Sequence, residues 1–201
     1  MSAIPVFAPS RPVVLRPYQP AWADEFAALA ARLRDAAGAQ LLGIHHIGST
    51  AVPGLCAKDV LDVQLHVARL ADAVALTERL RAAGFCPRAG DQFDVFQGLA
   101  ADSPERAKRY VREPAGERRM HLHVREPGRV NTRYALLFRD YLRACAPARD
   151  AYGECKRRAA ALFPASIAGY LFLKEPVFHL LYRAAELWAD KVEWTPADAG
   201  A

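Results

Sequence analysis

The chain has 201 residues, 52% of them hydrophobic, and its 27 Lys and Arg against 22 Asp and Glu give a formal charge of +5. That is enough apolar material for one substantial core, and no apolar run approaches the roughly 20 residues needed to span a bilayer. A bilayer-spanning helix is therefore excluded and no membrane partner is expected; with no secretory pattern in MSAIPVFAPSRPVV, the expected location is the cytoplasm. Cys56, Cys86, Cys145 and Cys155 lack C-x-x-C pairing, which reads as free thiols rather than a zinc or redox site. The cationic excess is mostly arginine, suited to bidentate capture of phosphate or carboxylate. Acids are interspersed with it, so nucleic-acid binding is not indicated.

In chain order, VVLRPY near residue 13 predicts a short strand. Trp22, Phe26, Leu29 and Leu33 then recur at helical spacing from Pro20-Ala21-Trp22 to a stop near Gly38. LLGIHHIG predicts a strand that ends at the turn at Gly48. Beyond Pro53-Gly54, VLDVQLHV alternates with period two: Leu61, Val63, Leu65 and Val67 share one face, and Asp62, Gln64 and His66 the other. Leu70 to Gly84 reads as an amphipathic helix with a glycine stop. FDVFQG and the stretch around RYVRE read as two strands, with a short helix starting at Ser103-Pro104-Glu105 as the alternative for their connection. MHLHVRE is a further strand, with His121 and His123 on one face. From Asn131 the texture is helical, in segments of roughly 131–145, 148–163 and 166–190 divided near Pro147 and Pro164. The expectation is a single α/β (α+β) domain over residues 1–201, with a mixed-sheet core at 12–130 and a helical part at 131–190.

Gly48, Ser49 and Thr50 are small enough to bring backbone N–H groups close to an anion, and the two hydroxyls add donors, so this turn is a phosphate-loop candidate. Lys58 follows at a distance from which it can supply a point charge, although a lone lysine is also an ordinary solvated residue. Asp62 interrupts an apolar strand, where a carboxylate is costly unless that face opens on a polar cleft or the acid is paired. His121 and His123 have the H-x-H spacing that presents two imidazoles to one metal or anion, and equally the spacing of an exposed face that binds nothing. His45, His46, His66 and His179 read as structural or surface residues, with His46 close enough to orient the loop.

The string HIGSTAVPGL, the Ala57-Lys58 pair and the strand bearing Asp62 resemble the signature of the GrpB family, a nucleotidyltransferase-like group found alone or fused to dephospho-CoA kinase. The resemblance extends to the Trp22 region, HLHV at 121–124, LLFRDYLR at 136–143 and Tyr152 with Lys156, covering roughly residues 12 to 190. It implies a nucleotidyltransferase fold, with Gly48 and Ser49 as phosphate-loop residues and Asp62 as the first of the acids that hold two divalent ions. Departures are visible. Gln64 stands where a second acid is usual, His121 and His123 occupy the later strand in place of a carboxylate, His45 replaces a frequent Glu and Asp59 a frequent Pro.

Three functions follow, binding ranked first. One is a scaffold that holds a nucleotide or other phosphorylated small molecule through Gly48, Ser49, Thr50, Lys58 and its arginines. Another is a metal-dependent nucleotidyltransferase using Mg²⁺ or Mn²⁺. There Asp62, His121 and His123 are the metal ligands, Asp62 and His123 the catalytic pair, and Lys58 with Lys174 or Arg139 the phosphate contacts. The third is a non-catalytic partner or folding module related to coenzyme A biosynthesis, whose protein partner is unknown; Tyr170, Phe172, Phe178, Tyr182 and Trp188 either form its surface or pack in the core.

Overall fold

A computed structural model describes residues 5–90, 92–96 and 98–196. Its sheet has five strands, β1 (Gly43–Ile47), β2 (Leu61–His66), β3 (Cys86–Arg88), β4 (Arg109–Arg112) and β5 (Met120–Arg125), in the order β1-β2-β5-β4-β3. The central β2–β5 pair is parallel and the other pairs are antiparallel. The helices are α1 (Ala21–Ala37), α2 (Ala73–Ala82), α3 (Val130–Ala144), α4 (Ala146–Leu162) and α5 (Ile167–Lys191). Among the described residues no helix is long and apolar enough to cross a membrane.

Period-two alternation decides what each sheet face meets. Leu61, Val63 and Leu65 of β2 and Met120, Leu122 and Val124 of β5 are buried against Trp22, Leu29 and Leu33 of α1 and Leu76 and Leu80 of α2, each such side chain contributing about 1.5–3 kcal/mol of burial. The opposite face carries Asp62, Gln64, His121 and His123, and the C-terminal helices cover part of it. There Val52 and Leu55 meet Leu137, Phe138 and Leu142 of α3, Tyr152 of α4 and Tyr182 of α5 in a second core.

Some expectations are corrected. VVLRPY is not a strand: its one ladder contact is a bridge between Arg16 and Ala57, since Pro12 precedes it and Pro17 interrupts it, neither with an N–H to donate. FDVFQG forms no strand among the described residues, Gln97 lying outside them; Phe93 makes a lone bridge to Ala107, and a 3₁₀ turn at Pro104–Arg106 follows. The strand after Gly84 is instead β3, where Pro87 is tolerated because β3 is an edge. Residues 70–84 divide into a 3₁₀ turn (Leu70–Asp72) and α2. Pro147 sits in the first turn of α4, where its missing N–H costs nothing. Of the aromatic C-terminal residues, Tyr170 and Tyr182 are buried, Phe178 and Trp188 pack on the second core, and Phe172 alone is exposed.

Candidate functional site

The loop after β1 is built onto the Asp62 carboxylate. Ile47 pairs with Asp62 across the β1–β2 ladder, and the next residue, Gly48, has φ 73° and ψ −163°, a region open essentially to glycine alone. A Cβ at Gly48 would sit 2.5 Å from Asp62 Oδ2. A 3₁₀ turn (Ser49–Ala51) follows. Thr50 locks it from below, its buried hydroxyl donating to the Val60 carbonyl (3.3 Å) and standing 3.0 Å from His46 Nε2. With the hydroxyl proton on Val60, His46 Nε2–H is the donor of that second bond. The His46 ring stacks on Phe26 at 4.7 Å, and burial, assisted by Arg143, lowers its pKa to about 4, so it is neutral.

The parallel register sets Asp62 beside His121 and Gln64 beside His123. His121 Nδ1 donates to Asp62 Oδ1 at 2.9 Å and His123 Nε2 lies 3.9 Å from the same oxygen. Each of Asp62, His121 and His123 offers a ligand atom within 4.8 Å of the others. Burial opposes the Asp62 charge, but the two histidines outweigh it and hold the carboxyl well below its ordinary range. His123 is pushed down to about 4, chiefly by burial, against the pull of Asp62. Its Nδ1 is buried without a hydrogen-bond partner among the described residues.

Lysines surround Ser49. Lys156 of α4, 2% exposed, donates to Ser49 Oγ at 3.1 Å and to the Cys56 carbonyl. Burial, then repulsion from Lys174 and Lys58, brings its pKa down to about 7. Lys58 stands over Tyr170 at 5.4 Å and is lowered to about 8, by burial and then by Lys174. Lys174 stands 5.5 Å over Phe178. Near Ser49, positive charge is in excess and only partly balanced by Asp62.

Two cavities meet here. One, of about 170 Å³, is lined by Ser49, Asp62, His123 and Lys174 together with Tyr134, Phe138, Tyr152 and Phe178. The other, of about 200 Å³, is lined by Ser49, Asp62 and Lys174 with Lys58, His121 and Lys156. The structure thus brings Gly48, Ser49, Lys58, Asp62, His121, His123 and Lys174 together around one cleft. Thr50 contributes to the lysine-rich wall, its hydroxyl already engaged. Arg139 reaches the aromatic cavity, but its guanidinium is held by Asp140 (2.6 and 3.0 Å) and the His46 carbonyl (3.0 Å). Gln64 is fully buried behind the site, accepting from Arg125 Nη1 at 2.5 Å and donating to His66 Nε2 and the Thr132 carbonyl.

The sequence marks Lys156 only as part of the family resemblance, and nothing in it singled out Asp94. Asp94 enters from the loop before β4 and takes Lys108, Arg125 and Asn131 on its two oxygens at 2.7–3.0 Å. Arg125 was the readable half of that pair, because it continues the His121 and His123 face by two residues.

Comparison with known proteins gives concordant results. A family model described as GrpB protein matches residues 12–184. A dephospho-CoA kinase from Mycolicibacterium paratuberculosis is 37% identical over 199 residues, 92% of this chain and 49% of that protein. The UPF0157 protein YqkA of Bacillus subtilis is 31% identical over 180 residues, 90% of this chain and 49% of that one. The chain spans about half the length of these two curated relatives. The crystal structure of the conserved protein GrpB from Enterococcus faecalis superposes with a TM-score of 0.70 at 27% identity, over 87% of this chain and 99% of that one. The five-stranded mixed sheet flanked by helices agrees with the mixed-sheet α/β architecture expected from the sequence, and the chain belongs to the GrpB family.

Proposed function

We propose that the cleft binds a nucleotide or another phosphorylated small molecule, with phosphate against Ser49, Lys58, Lys156 and Lys174 and an apolar or aromatic moiety against Phe138, Tyr152 and Phe178. The observation that carries this reading is that Ser49, Asp62 and Lys174 form the wall common to a lysine-rich cavity and an aromatic one. A ligand with one anionic and one apolar end satisfies both halves, and its charge relieves the repulsion among the lysines. Because a curated relative that this chain half spans is called dephospho-CoA kinase, coenzyme A precursors belong in the test beside nucleotides. A ligand at about a hundred times its Kd stabilises by about 2.7 kcal/mol, well within reach of a thermal-shift panel. Absence of stabilisation by every nucleotide and precursor would overturn the reading.

A second reading, metal-dependent nucleotidyl transfer, is favoured by the convergence of Asp62, His121 and His123. The pair of magnesium ions usual for such chemistry does not fit: among the described residues the cleft offers one carboxylate, and the Gln64 amide is consumed behind it. One carboxylate and two imidazoles suit a single first-row transition ion, Mn²⁺ the hardest among them, better than Mg²⁺. Bound there, it would neutralise phosphate charge. In this reading His121 and His123 hold the ion beside Asp62 while the lysines orient the phosphates. Release of pyrophosphate from a nucleoside triphosphate with Mn²⁺ is its assay, and release unaltered in Asp62→Ala would dismiss it.

A further inference from the structure

Beyond Lys58 the cleft continues into a third cavity, lined by Arg11, Arg16, Lys58, Asp59, Val60, Arg119 and the first residue of α5, Ile167. It shares Lys58 and Val60 with the lysine-rich cavity. Its one acid is already taken: Asp59 pairs with Arg16 at 3.4 Å and Arg118 at 2.7 Å, and accepts the Trp22 indole N–H at 3.0 Å. Among the described residues Arg11, Lys58 and Arg119 form no ion pair, and the nearby Glu113 is itself paired with Arg112.

The backbone holds Arg11 in place rather than leaving it on a free tail. Ser10 N donates to the Ala165 carbonyl at 2.7 Å, Val13 N to the Pro164 carbonyl at 2.8 Å, and Ile167 N to Ser10 Oγ at 3.0 Å. The segment is thus clasped on both sides of Arg11 to the turn between α4 and α5. Cations held together with little counter-charge repel one another: Lys58, lowered first by burial and by Lys174, is lowered further by Arg11 and Arg119 against the pull of Asp62. An oxyanion relieves that cost, and two guanidinium forks flanking an ammonium suit a phosphate group.

We infer that Arg11, Lys58 and Arg119 form a second phosphate subsite, so that the ligand of the cleft carries a further phosphate beyond the one at Ser49. The inference rests on the reading of the cleft as a phosphate site. The second phosphate belongs either to a polyphosphate chain or to a separate ester on the same molecule.

Isothermal titration of the full chain in EDTA with AMP, ATP and adenosine 3′,5′-bisphosphate tests it, for wild type and the Arg11→Ala/Arg119→Ala double variant. Wild type is expected to bind at least one multiply phosphorylated probe about tenfold tighter than AMP, the preferred probe identifying the source of the second phosphate. In the double variant that advantage is expected to fall below about threefold with AMP affinity unchanged. Neither side chain forms an ion pair among the described residues, so the variant is expected to melt no lower than wild type. AMP bound as tightly as the other two, or an advantage that survives the double substitution, would overturn the second subsite and leave the first intact. Failure of all three probes with wild type would overturn the cleft reading together with this subsite.

Discussion

Gly48→Ala tests whether the loop and the acid are one assembly. At φ 73° and ψ −163° an alanine pays about 1–3 kcal/mol of backbone strain. Its Cβ would also stand 2.5 Å from Asp62 Oδ2, 2.8 Å from Asp62 Cβ and 3.0 Å from Cγ. Those atoms belong to the first part of a short side chain on a central strand, so relief requires moving strand or loop, a cost of overpacking of about 1–3 kcal/mol. The sum, about 4 kcal/mol at its centre, corresponds to a fall in Tm of roughly 8–16 °C for a chain of this size. Gly116→Ala is the control: φ is +78° with nothing within 4 Å of the new Cβ, so it carries strain alone, about 1–2 kcal/mol. Thermal and urea unfolding of both variants, with Gly48→Ala repeated in an Asp62→Ala background, separate the terms. The double variant is expected to recover at least about 1 kcal/mol of coupling. A Gly48→Ala variant no less stable than Gly116→Ala, or one indifferent to Asp62→Ala, would refute the contact between loop and acid.

The remaining expectations concern protons and ions. His45, His46, His66 and His123 are each lowered from 6.5 to about 4, chiefly by burial. The unfolded chain therefore takes up their protons first, and their stability contribution, whole above pH 6.5, is lost as the pH falls from 6.5 to 4. The depressed carboxyls of Asp62 and Asp94 add a further loss only below about pH 4. Melting curves flat between pH 7 and 5 would contradict the histidine part. Phosphate-ester affinity should fall at least about fivefold between pH 7 and 9, as Lys156 and Lys58 lose protons near 7 and 8 while the ester, with its second pKa near 6, keeps its charge. Titration calorimetry in which Lys156→Met shows the same pH dependence as wild type would remove Lys156 from that account. Mn²⁺ should raise Tm where equimolar Mg²⁺ does not, and Asp62→Asn should abolish the shift; an equal response to both ions would mean that the donors are not the histidines.

Local periodicity made the site's spine readable. Alternation in β2 and β5 put Asp62 on one face and His121 with His123 on another, and the parallel register of two neighbouring strands merges these into one face. Glycine followed by small hydroxyl residues marked the loop because backbone conformation is a local property. What stayed hidden depends on distant partners. Lys156 meets Cys56 across 100 positions, and no spacing rule forecasts which face of α4 turns to the loop. Thr50 resembled a phosphate donor until the positions of His46 and Val60 gave its hydroxyl other work. β3 was concealed by Pro87, which argues against a strand everywhere except at the sheet edge it occupies.

The acids on the polar face divide their labour, and that division explains a cleft with one carboxylate. A charge at position 64 would lie beside Arg125, but Asp94 already meets that guanidinium with two bonds and takes Lys108 and Asn131 besides. A neutral amide at 64 instead accepts from Arg125 while donating to the Thr132 carbonyl, where a carboxylate would set oxygen against oxygen. Interior electrostatics therefore favour Gln64 whatever the cleft binds. Asp62, 30% exposed and tied to histidines, is left as the acid that faces ligand, opposite Lys58, Lys156 and Lys174. On the proposed reading, that balance of charge suits the cleft first to an anion. On the same reading, chemistry at the cleft is expected to use the single candidate ion site of Asp62, His121 and His123 or no ion.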